Sequence, residues 1–144
     1  MVKPMKKITK LLFIFIIGII VGYYLCSSNE IKIFDTTYKA FQVGVYTSLD
    51  AANTYKTKYK DAIVIKDNEL YRVYVSILKD KDNIDSMSNY LNKNNIDFYL
   101  KDITINNNNL KHKIKEYESV MNNENEIVFL ELNKMIISEC EELL

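Results

Sequence analysis

The fold is decided by the segment Phe41-Gln42-Val43-Gly44-Val45-Tyr46, in which apolar residues alternate with polar or small ones. A period of two is typical of a strand with one buried face. The alternation predicts that Phe41, Val43 and Val45 face the core. Because no glycine or proline occurs after residue 45, asparagine and aspartate must make the later turns.

A similar unit recurs at an offset of 32 residues, so the middle of the chain consists of two halves of strand, helix and strand. The halves are joined by a short turn that favours a hairpin. The predicted elements are a strand over 41–46, a helix capped by Thr47 or Ser48, a strand over 62–65, a hairpin turn at Asp67 and Asn68, a strand over 70–77, a helix from Asp82 to a left-handed cap at Asn94 and Asn95, and a strand over 97–105.

Two such halves can interleave into one sheet with helices on a single face, the ferredoxin-like βαββαβ arrangement of the α+β class. The first and third strands then lie side by side at the centre, and the other sheet face is uncovered. If the apolar positions face the helices, the uncovered face carries Gln42, Gly44, Tyr46, Arg72, Tyr74, Ser76, Tyr99 and Lys101.

The first 28 residues predict a membrane anchor behind a basic cytoplasmic head. Four lysines precede an uncharged stretch over 11–26, and a helix of that length spans about 24 Å. The excess of lysine on the amino-terminal side places that end in the cytoplasm and the rest of the chain outside the cell membrane. Cleavage near Ser28, as in a signal peptide, is the alternative. A linker over 29–37 leads to the two-half domain, 38–105.

Residues 106–144 form a predicted helical extension with a net charge of −4. An asparagine linker over 106–109 precedes two segments with apolar residues at helical spacing. The two stripes are Leu110, Ile114, Tyr117 and Met121, then Phe129, Leu132, Ile136, Cys140 and Leu143. Such stripes must be buried against each other, against the 38–105 domain, or against a partner.

The composition argues against several function classes. The chain carries no net charge, so the clustered positive surface of a nucleic-acid binder is not expected. One histidine, His112, and two cysteines are too few for a histidine or cysteine metal site. No nucleophile, base and orienting group come together in the sequence, and Cys140 lies on an apolar stripe, where thiols are inert. We therefore expect no enzymatic activity, metal or cofactor.

The 38–105 segment resembles the sporulation-related repeat, or SPOR, domain. The resemblance rests on the 41–46 segment, the following Ala51 and Ala52, and the strand Tyr71-Arg72-Val73-Tyr74-Val75. It implies a βαββαβ module that binds peptidoglycan glycan strands stripped of their stem peptides on the uncovered sheet face. Gln42 and the Tyr71-Arg72-Val73 triplet occupy positions that match the family pattern, whereas Val45, Ser76 and Leu78 depart from it.

The residue types on the expected open face suit such a glycan. Stripped strands offer hydroxyls, acetamido groups and lactyl carboxylates, which are recognised by amides, aromatic rings and a cation. Arg72 is the single arginine of the chain, and only a guanidinium makes planar bidentate contacts with a carboxylate. Pairing of Arg72 with a carboxylate of the protein is the alternative.

These observations predict a non-enzymatic peptidoglycan-binding protein of the cell envelope, held by a single membrane helix and localised to division or sporulation septa. The alternative is an extracytoplasmic interaction module, in which the acidic helical tail recruits an envelope protein or a second copy of the chain.

Overall fold

The computed structural model describes residues 37–59, 61–122 and 124–143, and within these ranges the chain is an α+β domain. The predicted anchor, residues 1–28, lies outside them. Of the helices described, none has the length and apolar character needed to cross a membrane. The described elements are β1 (Thr37–Tyr46), α1 (Leu49–Lys56), β2 (Ile63–Asp67), β3 (Leu70–Leu78), α2 (Lys81–Lys93), β4 (Tyr99–Thr104), α3 (Asn108–Met121) and α4 (Glu126–Leu143).

The sheet has the strand order β2-β3-β1-β4, and each neighbouring pair is antiparallel. β1 and β3 are therefore the central strands, as the repeated halves predict. The α+β prediction is confirmed, and the strand order is compatible with the ferredoxin-like arrangement. The central position of β1 and β3 matters for function because the predicted site residues come mainly from these two strands.

Asparagine, aspartate and serine make the turns and caps in place of glycine. Ser48 caps α1, where its hydroxyl accepts a hydrogen bond from the Ala51 amide at 3.2 Å. Asn68 and Asn95 adopt left-handed φ angles of 55° and 54°, which close the β2–β3 hairpin and follow the end of α2. The predicted start of α2 at Asp82 is wrong, because Asp80 caps the helix and accepts hydrogen bonds from the second and third amides after it.

The two C-terminal helices bury their apolar stripes within the chain. In α3 the buried residues include Leu110, Ile114 and Met121; in α4 they include Phe129, Ile136 and Cys140. The two helices are also joined by an ion pair between Lys113 Nζ and Glu139, at 2.6 Å. Two of the three predicted ways are observed for these residues: α3 and α4 pack against each other, and α4 also packs against β3 of the 38–105 domain. The first helix, α1, was also expected to bury a stripe that includes Leu49, but Leu49 is exposed.

Candidate functional site

The strict alternation predicted for β1 is interrupted at Gln42. The register of β1 against β3 shifts on both sides of this residue, so that Gln42 lies opposite Tyr74 while Gly44 lies opposite Val73. In an antiparallel pair, opposite residues point to the same face, and an irregularity of this kind re-aims a side chain. Gln42 therefore shares a face with Arg72 and Tyr74, and Gly44 does not.

Four polar side chains, one from each of the four strands, meet at this face. The Arg72 Nη1 atom donates to Gln42 Oε1 at 2.8 Å, and Arg72 Nε donates to Asp67 Oδ2 at 2.7 Å. Lys101 Nζ, from β4, also donates to Asp67 Oδ2. We call Gln42, Asp67, Arg72 and Lys101 the Arg72 cluster. It brings together three of the eight predicted site residues and one acidic residue that was not predicted.

The charges of the Arg72 cluster favour anions. Two cations surround one carboxylate, so the cluster carries a net charge of +1. The hydrogen bonds from Lys101 and Arg72 lower the pKa of Asp67 below its ordinary value of 3.8, which keeps the carboxylate ionised at neutral pH. The side chains of Arg72, Asp67 and Lys101 are 21%, 31% and 26% exposed, so solvent and small ligands reach them.

Apolar surface borders the Arg72 cluster. Tyr99 lies opposite Gln42 in the β1–β4 pair and is 64% exposed, the accessibility expected of a ring that can stack on a sugar. Val45 lies opposite Arg72 and is also exposed, which contradicts its predicted place in the core. The cluster and these two neighbours form one surface in which hydrogen-bonding groups, cations and an aromatic ring lie close together.

The predicted exposure of Gly44 and Tyr46 on the open face is wrong. Both lie opposite residues of β3 that point away from Arg72, and both contact Tyr55 of α1. The rings of Tyr46 and Tyr55 have their centroids 5.3 Å apart, and a Cβ atom on Gly44 would lie 2.7 Å from Tyr46 Cε2. The glycine is therefore explained by the packing of two tyrosine rings.

The predicted exposure of Tyr74 and Ser76 is also wrong, because both side chains are buried. α4 covers this part of the sheet. The Ser76 hydroxyl donates to Asn133 Oδ1 at 2.6 Å, and Asn133 Nδ2 donates to the Val75 carbonyl at 3.0 Å. Burial raises the pKa of Tyr74 to about 12. Among the strand residues that the structure describes, those at the end of the sheet around the Arg72 cluster keep the accessibility that was predicted for the whole face.

Asp67 and Val45 are the site residues that the sequence analysis missed. The sequence did contain evidence for Asp67. This residue directly precedes a two-residue hairpin loop, and Arg72, the single arginine, follows it by five residues. The two side chains therefore lie on adjacent strands. No comparable signal existed for Val45, because its apolar side chain fits the buried pattern.

Over the ranges described, no group of three or more histidine, cysteine, aspartate and glutamate residues is placed to hold a metal ion. His112 is exposed on α3. Cys140 is buried, and burial raises the pKa of its thiol to about 12, so the reactive thiolate is not formed at neutral pH.

Comparisons with protein-family models, with curated proteins and with solved structures gave no match.

Proposed function

We propose that this protein is a non-enzymatic, membrane-anchored peptidoglycan-binding protein of the cell envelope. In this proposal the β1–β4 region is a ferredoxin-like, SPOR-like module outside the cell membrane, and its ligand is the glycan strand without stem peptides. The Arg72 cluster, with Tyr99 beside it, is the binding surface. The proposed place of action is the division or sporulation septum, where such strands are exposed.

One observation carries the proposal: Gln42 and Arg72, selected from the sequence for the same surface, form a hydrogen bond of 2.8 Å beside the exposed ring of Tyr99. An amide, a guanidinium and an aromatic ring are the groups that a sugar with acetamido and carboxylate substituents requires. The surface also includes Lys101, which adds a second cation.

The covering by α4 restricts the proposed site. Tyr74 and Ser76 are buried, so a glycan strand cannot lie along the whole sheet face as the resemblance implies. It would instead contact the end of the sheet near the β2–β3 hairpin, where Asp67, Arg72 and Val45 lie. This smaller contact predicts recognition of a short piece of glycan rather than of a long strand.

Binding to isolated sacculi tests the proposal. The full-length protein, kept soluble in a mild non-ionic detergent, is incubated with sacculi before and after an amidase has removed the stem peptides. We expect clear preference for the stripped sacculi, measured as the fraction that sediments with the wall. Equal retention on both preparations, or retention on neither, would contradict the proposed function.

A second candidate function is favoured by the outer surface of α4. Ile127 and Met135 lie eight residues apart, hence on one side of the helix, and both are exposed, Ile127 to 75%. The net charge of −4 over residues 106–144 would suit a partner with apolar and basic groups. Deleting 106–144 would not test this candidate, because the deletion would uncover the core. The double substitution Ile127→Ser with Met135→Ser leaves the core intact: septal localisation that depends on these residues would favour the partner.

A further inference from the structure

We propose that Arg72 and Lys101 form a carboxylate-binding site, which the side chain of Asp67 occupies in the free protein. The ligand group is the carboxylate of an acidic sugar, and a bound sugar would take the place of Asp67. The identification of this sugar as a muramic acid, with its lactyl carboxylate, rests on the proposed function. Recognition of a carboxylate is drawn from the geometry of the cluster.

The geometry consists of two cations directed at one oxygen atom. Arg72 Nε lies 2.7 Å from Asp67 Oδ2. Lys101 Nζ donates to the same oxygen from β4, the edge strand on the opposite side of the sheet from β2. Gln42 holds the guanidinium from a third direction through Nη1. A single carboxylate between two cations leaves one positive charge. The carboxylate of a ligand that replaced Asp67 would therefore contact an arginine and a lysine that are already in position.

The position of Asp67 allows its side chain to move away from Arg72 and Lys101. It is the last residue of β2 and is followed at once by the hairpin turn, so its side chain is at the rim of the sheet. Its other oxygen, Oδ1, accepts a hydrogen bond from Asn68 Nδ2 at 3.2 Å, an exposed contact that the carboxylate would keep on turning outward. The exposure of the three charged side chains gives a small ligand a path to them.

An internal competitor of this kind lowers the apparent affinity of the site, because the ligand binds only to molecules in which Asp67 has moved away. Replacing Asp67 by asparagine removes the competing charge and retains a side chain of the same shape. The site would then bind an acidic sugar more tightly. The affinity for a neutral sugar would not change, because a neutral sugar has no carboxylate to pair with the two cations.

The single arginine makes the test direct. A ¹⁵N–¹H correlation spectrum of the full-length protein in detergent micelles contains one arginine Nε–Hε signal, that of Arg72. N-acetylmuramic acid is titrated into the wild type, Asp67→Asn and Lys101→Gln, with N-acetylglucosamine as the neutral probe. Lys115→Gln, at an exposed position on α3, is the matched control for the loss of a lysine.

We expect N-acetylmuramic acid to shift the Arg72 signal, with an apparent affinity about threefold or more higher in Asp67→Asn and lower in Lys101→Gln, while Lys115→Gln behaves as the wild type. N-acetylglucosamine should leave the signal unchanged. Equal responses to the two sugars, or no gain in Asp67→Asn, would overturn the inference even if stripped sacculi are preferred. A response to the acid without any sacculus preference would instead overturn the proposed function and leave the carboxylate site.

Discussion

Arg72 has one observed role, an ion pair within the protein, and one proposed role, ligand binding, which were predicted as alternatives. Its guanidinium pairs with a carboxylate of the protein, Asp67, and also contacts Gln42, the predicted ligand-binding amide. A half-buried ion pair at a ligand surface can serve both purposes, because the protein carboxylate holds the cation ready and a ligand carboxylate can replace it. The presence of an internal partner therefore does not exclude a binding role.

We expect the Asp67 carboxylate to stabilise the fold at neutral pH and to lose this effect in acid. Its pKa is lowered in the folded protein, so the contribution is present above the pKa of the unfolded chain and is lost as the pH falls through the folded value. The melting temperature of the wild type should exceed that of Asp67→Asn near neutral pH, and the difference should shrink in acid. Thermal denaturation across this pH range measures it; a gap that widens in acid would contradict the assigned shift.

We expect the contribution of Glu118 to stability to have the opposite pH dependence. This buried residue of α3 accepts hydrogen bonds from the Lys79 and Asp80 amides at 2.7 and 2.8 Å, and burial raises its pKa above the ordinary value of 4.5. Because the folded pKa is raised, the associated stability is fully present below the unfolded value and is lost as the pH rises through the folded one.

Relative to Glu118→Gln, which keeps an acceptor oxygen, the wild type should therefore gain melting temperature as the pH is lowered. Glu118→Ala should cost about 1 to 3 kcal/mol, because it removes the acceptor from both amides. The control Glu116→Gln, exposed on the same helix, should show neither effect. A difference between wild type and Glu118→Gln that stays constant with pH would show that the carboxylate does not titrate as assigned.

We expect any side chain at position 44 to destabilise the packing of Tyr46 and Tyr55. A Cβ atom there would lie 2.7 Å from Tyr46 Cε2 and 3.1 Å from two carbons of Tyr55, so Gly44→Ala should reduce the free energy of unfolding by about 1 to 3 kcal/mol in urea denaturation. In a Tyr46→Leu background the closest contact is removed and the alanine should cost less. An equal cost in both backgrounds would mean that the glycine is required for another reason.

At the scale of single elements, β1 shows where local patterns succeed and where they fail. The alternation of residues 41–46 correctly predicted a strand, and of the two predicted caps, Thr47 and Ser48, Ser48 is the one that begins the following helix. The pattern could not predict that the register shifts at Gln42, because the shift depends on which residues of β3 lie opposite. Gly44 and Tyr46 were therefore placed on the wrong face although the strand itself was right.

The contact of α4 with β3 gives an element-scale prediction. Asn133 is buried and makes hydrogen bonds to both the Ser76 hydroxyl and the Val75 carbonyl. Asn133→Ala removes both bonds, so the free energy of unfolding should fall by about 2 to 4 kcal/mol.

The matched control is Asn122→Ala, whose side chain makes an exposed hydrogen bond to Asp80 and should cost about 1 kcal/mol or less. Urea denaturation measures both variants, and hydrogen exchange shows whether protection is lost in α4 and β3 together. Similar costs for the two variants would mean that the buried amide does not hold α4 on the sheet.

At the scale of the whole molecule, the central pair β1–β3 followed from the repeat in the sequence. The covering of Tyr74 and Ser76 did not follow, because it depends on a contact between residues 57 positions apart. The apolar stripes of α3 and α4 showed that these helices must pack against something, but stripes carry no information about which surface they cover. Two of the eight residues predicted for the ligand face, Tyr74 and Ser76, are buried for this reason.

We propose that the Arg72 cluster binds stripped glycan. Its most direct test is retention on amidase-treated sacculi of full-length Arg72→Ala and Gln42→Ala, compared with wild type and with Lys115→Ala as a control at an exposed position. Melting temperatures confirm that each variant is folded. Both cluster variants should lose most of the retention, whereas Lys115→Ala should keep it. Undiminished retention of folded Arg72→Ala and Gln42→Ala would contradict the claim.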